Sequence, residues 1–262
     1  MFQNFYVGAT GMNALHESLL TITNNVSNSQ TVGFKSSRVE YENLFPMMLK
    51  EAMARSETES VEPAGIEFGS GVRTVATVKN FAQGTIEVTQ NPLDLAIEGE
   101  GFFQLRMPDG TVAYTRAGNF HQDSLGNIVD PNGHILEPPI TLPDGVTNIT
   151  VNTDGRIFVQ INNQIGTTEA GQLSLARFPN PSGLMSVGQN LYKESVASGE
   201  PIVGVATEEG YGKVAQFSLE SSNVDIIAEL TNLIITQRAF EIVSKSIQSG
   251  EKMMSSALDV AQ

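Results

Sequence analysis

Chemistry, if this chain performs any, would have to come from a short inventory, and His16, His121 and His134 head it because imidazole is the commonest general base and metal ligand at neutral pH. None lies at the short spacing that puts two ring nitrogens on one zinc ion, and with no cysteine in the chain there is no thiolate to complete a ligand set. The stretch Gly99-Glu100-Gly101-Phe102-Phe103-Gln104 begins as a dinucleotide fingerprint does. Its third glycine is missing, and the chain runs on into a strand pattern, so no helix N-terminus is offered to a phosphate. Glu98 and Glu100 could pair as acid and base, but the glycines beside them make a turn the simpler account. The Asp-rich turns lack the ~12-residue loop and terminal Glu of a calcium site, and no Gly-x-Ser-x-Gly elbow occurs. The expectation is a chain with no cofactor, no metal and no catalytic residue, hence not an enzyme.

The elements that would position such residues are more informative. Ile226, Leu233, Phe240, Ile247 and Met254 recur at seven-residue spacing, with Leu230 and Leu258 on the companion seam, which is the stripe of a coiled-coil helix. Gln237, Ser244 and Glu251 interrupt that companion seam, while Ile227, Ile234, Ile235, Ile242 and Val243 widen the apolar surface beyond one neighbour. From Ser222 to Leu258 such a helix runs roughly 50 Å, more than a small domain covers. Ser222 followed by Asp225 suggests a capping box at its start. The other end of the chain repeats the pattern: Phe5, Met12, Leu19 and Val26 are heptad-spaced, with Ala9, Leu15 and Ile22 on the adjacent face. Two ordinary amphipathic helices on one globular core are the alternative, against which stand their length and their location at opposite ends.

Between the helices the chain changes character. Residues 24–35 are rich in Asn, Ser and Thr, which end helices, and Gly33 can supply a positive φ. Residues 36–71 carry Tyr41, Leu44, Phe45, Met47, Met48 and Leu49 and then an acidic run, and read as an extended arm or hairpin, with disorder as the alternative. From Val72 the apolar period shortens to two, in short runs such as 72–78, 102–107, 112–116, 146–151, 156–161, 173–178 and 214–219, separated by Asp-Gly and Asn-Gly turns. The expected fold is therefore α+β: terminal helices paired as a coiled coil (residues 1–35 and 221–262), an extended arm (36–71), and a central all-β domain of short antiparallel strands (72–220).

The net charge of −14 argues against nucleic acid or an anionic lipid surface as a partner, and no stretch approaches the ~18 apolar residues of a membrane span. Residues 1–20 lack the basic and unbroken apolar regions of a cleaved signal peptide. With no site for catalysis and long apolar stripes at both ends, function is expected in assembly: many copies stacked head to tail could bury every seam at once.

At these residues the chain resembles the bacterial flagellar rod and hook axial proteins. Asn24-Asn25-Val26-Ser27-Asn28 followed by Thr31-Val32-Gly33-Phe34-Lys35 is similar to the family's N-terminal signature, and Ser222-Asn223-Val224-Asp225 with Gln237-Arg238-Ala239-Phe240-Glu241 to its C-terminal one. Residues 94–103 and 114–120 are similar to the middle of rod proteins, so the likeness spans the chain; Val26-Ser27, Ser29-Gln30 and Val32 depart from the usual signature. The arm at 36–71 is similar to the longer insertion of distal rod members. The resemblance implies a structural subunit of the distal rod, a rigid tubular homopolymer that transmits torque and encloses an export channel. A proximal rod or hook-like protein is the alternative, and a soluble β-rich binding module a more remote one. Implied partners are further copies of the chain, the proximal rod protein, the hook protein, the P-ring and L-ring proteins and the flagellar type III export apparatus. The implied location is the basal-body rod crossing the periplasm, reached without a cleaved signal peptide.

Overall fold

The heptad-spaced residues at each end of the chain form one continuous helix apiece: α1, Phe2–Ser27, and α2, Ile226–Val260. The computed structural model describes residues 2–50, 65–143, 145–161, 166–208 and 210–260. Residues 51–64 of the arm, turn residue Asp144 and the side chain of Leu258 lie outside the described set. Helix α2 begins at Ile226, directly after Asp225. Ser222 stands before the helix, where its Oγ accepts the Val224 amide at 3.3 Å, so the expected capping box is not the start of the helix.

The chain divides into two units, one made of residues 1–26, 37–78 and 226–262, the other of residues 27–36 and 79–225. The polypeptide therefore passes from one unit to the other four times, after Val26, Ser36, Val78 and Asp225.

In the helix unit, α1 and α2 meet in an antiparallel sense. Asn25 near the end of α1 bonds Glu229 in the first turns of α2, while Phe5 and Gly8 near the start of α1 lie against Gly250 and Ile247. The same unit holds two strand pairs, Ser37–Asn43 with Val72–Lys79 and Met47–Lys50 with Ile66–Phe68, the second antiparallel with Met47 opposite Phe68. The Tyr41 hydroxyl donates to the Ala14 carbonyl at 3.1 Å and fastens the first strand to α1.

The β unit is built of short antiparallel strands. Its largest sheet follows the order Met185–Gly188, Leu191–Lys193, Val112–Thr115, Phe102–Arg106, Ile135–Glu137, Ile128–Val129 and His121–Gln122, with Ser174–Arg177 and Ile202–Val205 branching from the central strand. Each of the seven runs expected from alternation contains a strand. Period two sends neighbouring side chains to opposite faces, and here both faces are buried. Phe103, Leu105 and Ala113 enter a core with Leu95, Ile97, Phe120, Ile157 and Leu175. Phe102 and Tyr114 enter a second core with Phe178, Leu184 and Tyr192. Its rings meet edge to face, as Phe102–Phe178 and Tyr114–Phe178 do with centroids 5.7 and 4.8 Å apart, an arrangement that suits the ring quadrupoles. Each fully buried large side chain contributes about 1.5–3 kcal/mol.

Turn chemistry fixes the register. In the hairpin joining Phe102–Arg106 to Val112–Thr115, Asp109 Oδ1 accepts the Thr111 amide at 2.9 Å and Gly110 takes φ 83°, a conformation glycine adopts without strain. The first pair beyond the turn is then Arg106 opposite Val112. A different constraint acts on Gly118, where any Cβ would overlap the Leu95 carbonyl.

Candidate functional site

Four residues of the N-terminal signature and one of the C-terminal signature build a junction inside the β unit. Gly33 turns the chain at φ 68° and donates its amide to the Glu220 carbonyl at 2.7 Å. Phe34 is buried beside it, and its carbonyl accepts the Asn223 amide at 3.4 Å. Asn223 uses its whole side chain: Oδ1 accepts the Ser36 amide at 2.8 Å, and Nδ2 donates to the Asn80 and Ala82 carbonyls at 2.8 and 3.0 Å. Asn28 caps the turn, its Oδ1 accepting the Thr31 hydroxyl at 3.2 Å.

Lys35 is 0% exposed, and its Nζ donates to Glu220 Oε1 at 2.6 Å and to the Ala82 carbonyl at 2.8 Å. Glu220, also 0% exposed, accepts the Gly84 amide as well, at 2.9 Å. Its second oxygen faces Arg116, 5% exposed, whose Nη2 donates to the Gly99 carbonyl at 2.8 Å and whose guanidinium lies over the Phe102 ring. Burial pushes the Lys35 ammonium below its ordinary range, and the Glu220 charge opposes that shift. The sequence points to Lys35 and, within the stretch 114–120, to Arg116, but not to Glu220. A single charge at the end of a strand looks the same in sequence whether it meets water or a partner.

Asn25, of the same signature, works in the helix unit. Its amide nitrogen donates to Glu229 and to the Ser37 carbonyl, both at 2.8 Å, and its Oδ1 accepts the Ser37 amide at 2.9 Å. Asn24, Gln237 and Arg238 are exposed, Arg238 pairing with Glu241 one helical turn on.

The heptad residues lie in the same unit, and the chain covers them only in part. Phe5, Met12, Leu19, Val26, Leu233, Ile247 and Met254 are half-buried, and Ile226, Leu230 and Phe240 are exposed, Phe240 by 38%. Beside them Ile227 is 79%, Ile235 61% and Ile242 67% exposed. Among the described side chains of α2 only Thr236 is buried. Where the helices approach, a groove of about 480 Å³ opens between Phe5 and Gly8 on one side and Ile242, Val243, Ile247 and Met254 on the other. A helix of 35 residues with eight large apolar side chains in water presents far more grease than scattered surface residues do.

The residues first considered for catalysis are occupied in other ways. Glu98 and Glu100 pair separately at the surface with Lys213 and Arg177. His134 is buried and contacts Asp130 at 2.8 Å inside the Asp130–His134 turn. His121 stands on the strand His121–Gln122. Among the described residues no helix is long and apolar enough to cross a membrane, and no cluster of His, Asp and Glu could hold a metal ion.

Three family models match along the chain: Flagella basal body rod protein over residues 5–35, Flagellar hook protein FlgE/F/G D1 domain over 96–159, and Flagellar basal body rod FlgEFG protein C-terminal over 215–260. The flagellar basal-body rod protein FlgG of Buchnera aphidicola from Schizaphis graminum is 40% identical over 97% of this chain and 98% of its own length. The chain belongs to the FlgG family of flagellar basal-body rod proteins. FlgG of Borreliella burgdorferi is 39% identical, with 97% of each chain covered. The Bacillus subtilis hook-basal body complex protein FlhP is 28% identical over the same share of both chains, so similarity to the FlgG members is the greater. The members of this family are structural, and this chain is a structural protein and not an enzyme.

Proposed function

We infer that the chain is the subunit of the flagellar distal rod and polymerises, through apolar faces of α1 and α2, into a rigid tube that transmits torque and encloses an export channel. The observation that carries this reading is the exposed face of α2, with Ile226, Leu230 and Phe240 on the heptad and five further large apolar side chains beside it. Buried apolar area is the main favourable term in association, and a shared seam on every copy lets a head-to-tail contact repeat without closing. Packing of the two helices as a coiled coil belongs to the same reading. Their antiparallel contacts at Asn25–Glu229 and Gly8–Ile247 support it.

The strand pairs of residues 37–50 and 66–79, with Phe45, Met47, Met48 and Leu49 exposed, would add a contact at another radius and stiffen the tube. The proximal rod protein would lie below, the hook protein above and the P- and L-ring proteins around the rod as it crosses the periplasm. The type III export apparatus would deliver the chain without a cleaved signal peptide.

Replacing Phe240 by Asp tests the reading. An unpaired carboxylate in a buried seam costs about 3 kcal/mol or more. The variant should fail to form rods by electron microscopy while the thermal unfolding of its β unit is unchanged. Rods of normal length and number from Phe240→Asp would refute it.

A further inference from the structure

Lys35 and Glu220 are 185 residues apart in sequence, yet they form an ion pair that water does not reach. Glu220 has a second cation within reach in Arg116, whereas the Lys35 ammonium pairs with this carboxylate. Without Lys35, Glu220 would keep the Gly84 amide and an Arg116 nitrogen 3.5 Å away; without Glu220, Lys35 would keep one carbonyl, that of Ala82. Removing one partner of a buried pair costs far more than the intact pair contributes, because the survivor stays desolvated and uncompensated. The backbone reinforces the dependence, since Gly33 bonds Glu220 and Asn223 bonds Phe34 and Ser36. Each chain end is therefore poorly seated until the other arrives.

We propose that Lys35, Glu220 and Arg116 form an all-or-none clasp, through which residues 31–36 and 218–223 lock into the β unit only together. The β unit of a dilute, unassembled chain then closes with both helix departure points already fixed, α1 ending at Ser27 and α2 beginning at Ile226, whether or not the helices have found partners. The clasp goes beyond the assembly reading and does not depend on it. A chain that never polymerised would need it equally.

The test is a double-mutant cycle on the dilute full-length chain, read by thermal unfolding and by limited proteolysis mapped by mass spectrometry. The variants are Lys35→Met, Glu220→Gln and the two combined, with Lys193→Met as control because its pair with Asp109 is at the surface. Glu220→Gln, which strands both Lys35 and Arg116, should lower the unfolding midpoint of the β unit by about 10 °C, and the protease should gain cuts within residues 28–36. The combined variant, in which only Arg116 has lost its partner, should recover at least a third of that loss and lose most of those cuts. A Glu220→Gln midpoint matching that of Lys193→Met would overturn the clasp, as would a combined loss equal to the sum of the single losses. If Glu220→Gln does not fold, a folded combined variant supports the clasp and an unfolded one overturns it.

Discussion

Asn223 and Asn25 owe their places to hydrogen-bonding capacity. Each spends both ends of its amide on backbone groups that would otherwise lose these partners. An apolar replacement of similar size would strand those groups, so Asn223→Leu should destabilise the β unit by about 2–3 kcal/mol in a denaturant titration. A loss within experimental error would show that water takes over. Tyr114 and Tyr192 make a second residue-scale prediction. Burial pushes both phenols up to about 12. A folded pKa raised above the unfolded value near 10 gives stability that is complete below pH 10 and is lost as pH rises through 12. Stability of the β unit should therefore hold to about pH 10 and then fall. Late-titrating tyrosinate absorbance should shrink by one chromophore in each of Tyr114→Phe and Tyr192→Phe. Tyrosinate absorbance complete before the β unit begins to unfold would contradict this account.

Among the elements, the two helices were legible in sequence because a seven-residue apolar period belongs to no other structure, and the longer strands because Phe102 to Arg106 and Arg156 to Ile161 are short runs rich in aromatic and β-branched residues, bounded by turn residues. Two- and three-residue strands such as His121–Gln122 and Ile128–Val129 were not legible. They are defined by partners elsewhere in the chain, and two residues carry no period. Helix α2 was expected from Ser222 but starts at Ile226, because Ser222 and Asn223 serve the junction before the helix instead of capping it. Of the candidate site, the signature residues could be named in advance, but not that Lys35 would be buried against Glu220. Gly118 tests the packing between elements. A methyl group there would drive the chain away from Leu95, so Gly118→Ala should cost about 3 kcal/mol or more. Gly110→Ala, where a Cβ meets open space, should cost only what its φ of 83° demands, about 1 kcal/mol.

For the whole molecule, apolar attraction between copies competes with a net charge of −14 on each. Salt shortens the screening length from roughly 30 Å at 0.01 M to about 8 Å at 0.15 M. The concentration needed for polymerisation should accordingly fall as salt is added, and sedimentation would show it. A threshold that rises with salt would mean that ion pairs, not apolar seams, hold the copies together. The passage of the chain four times between its two units bears on the same question, because a subunit that carries torque gains from more than one covalent path through it. The central claim is that the faces of α2 stay unsatisfied until sister copies arrive, and hydrogen–deuterium exchange of the amides of residues 226–254 tests it most directly. Protection in the dilute chain should be slight and should rise by about two orders of magnitude or more once rods form, while the β unit changes little. Full protection of α2 in the dilute chain, unchanged on concentration, would contradict the account.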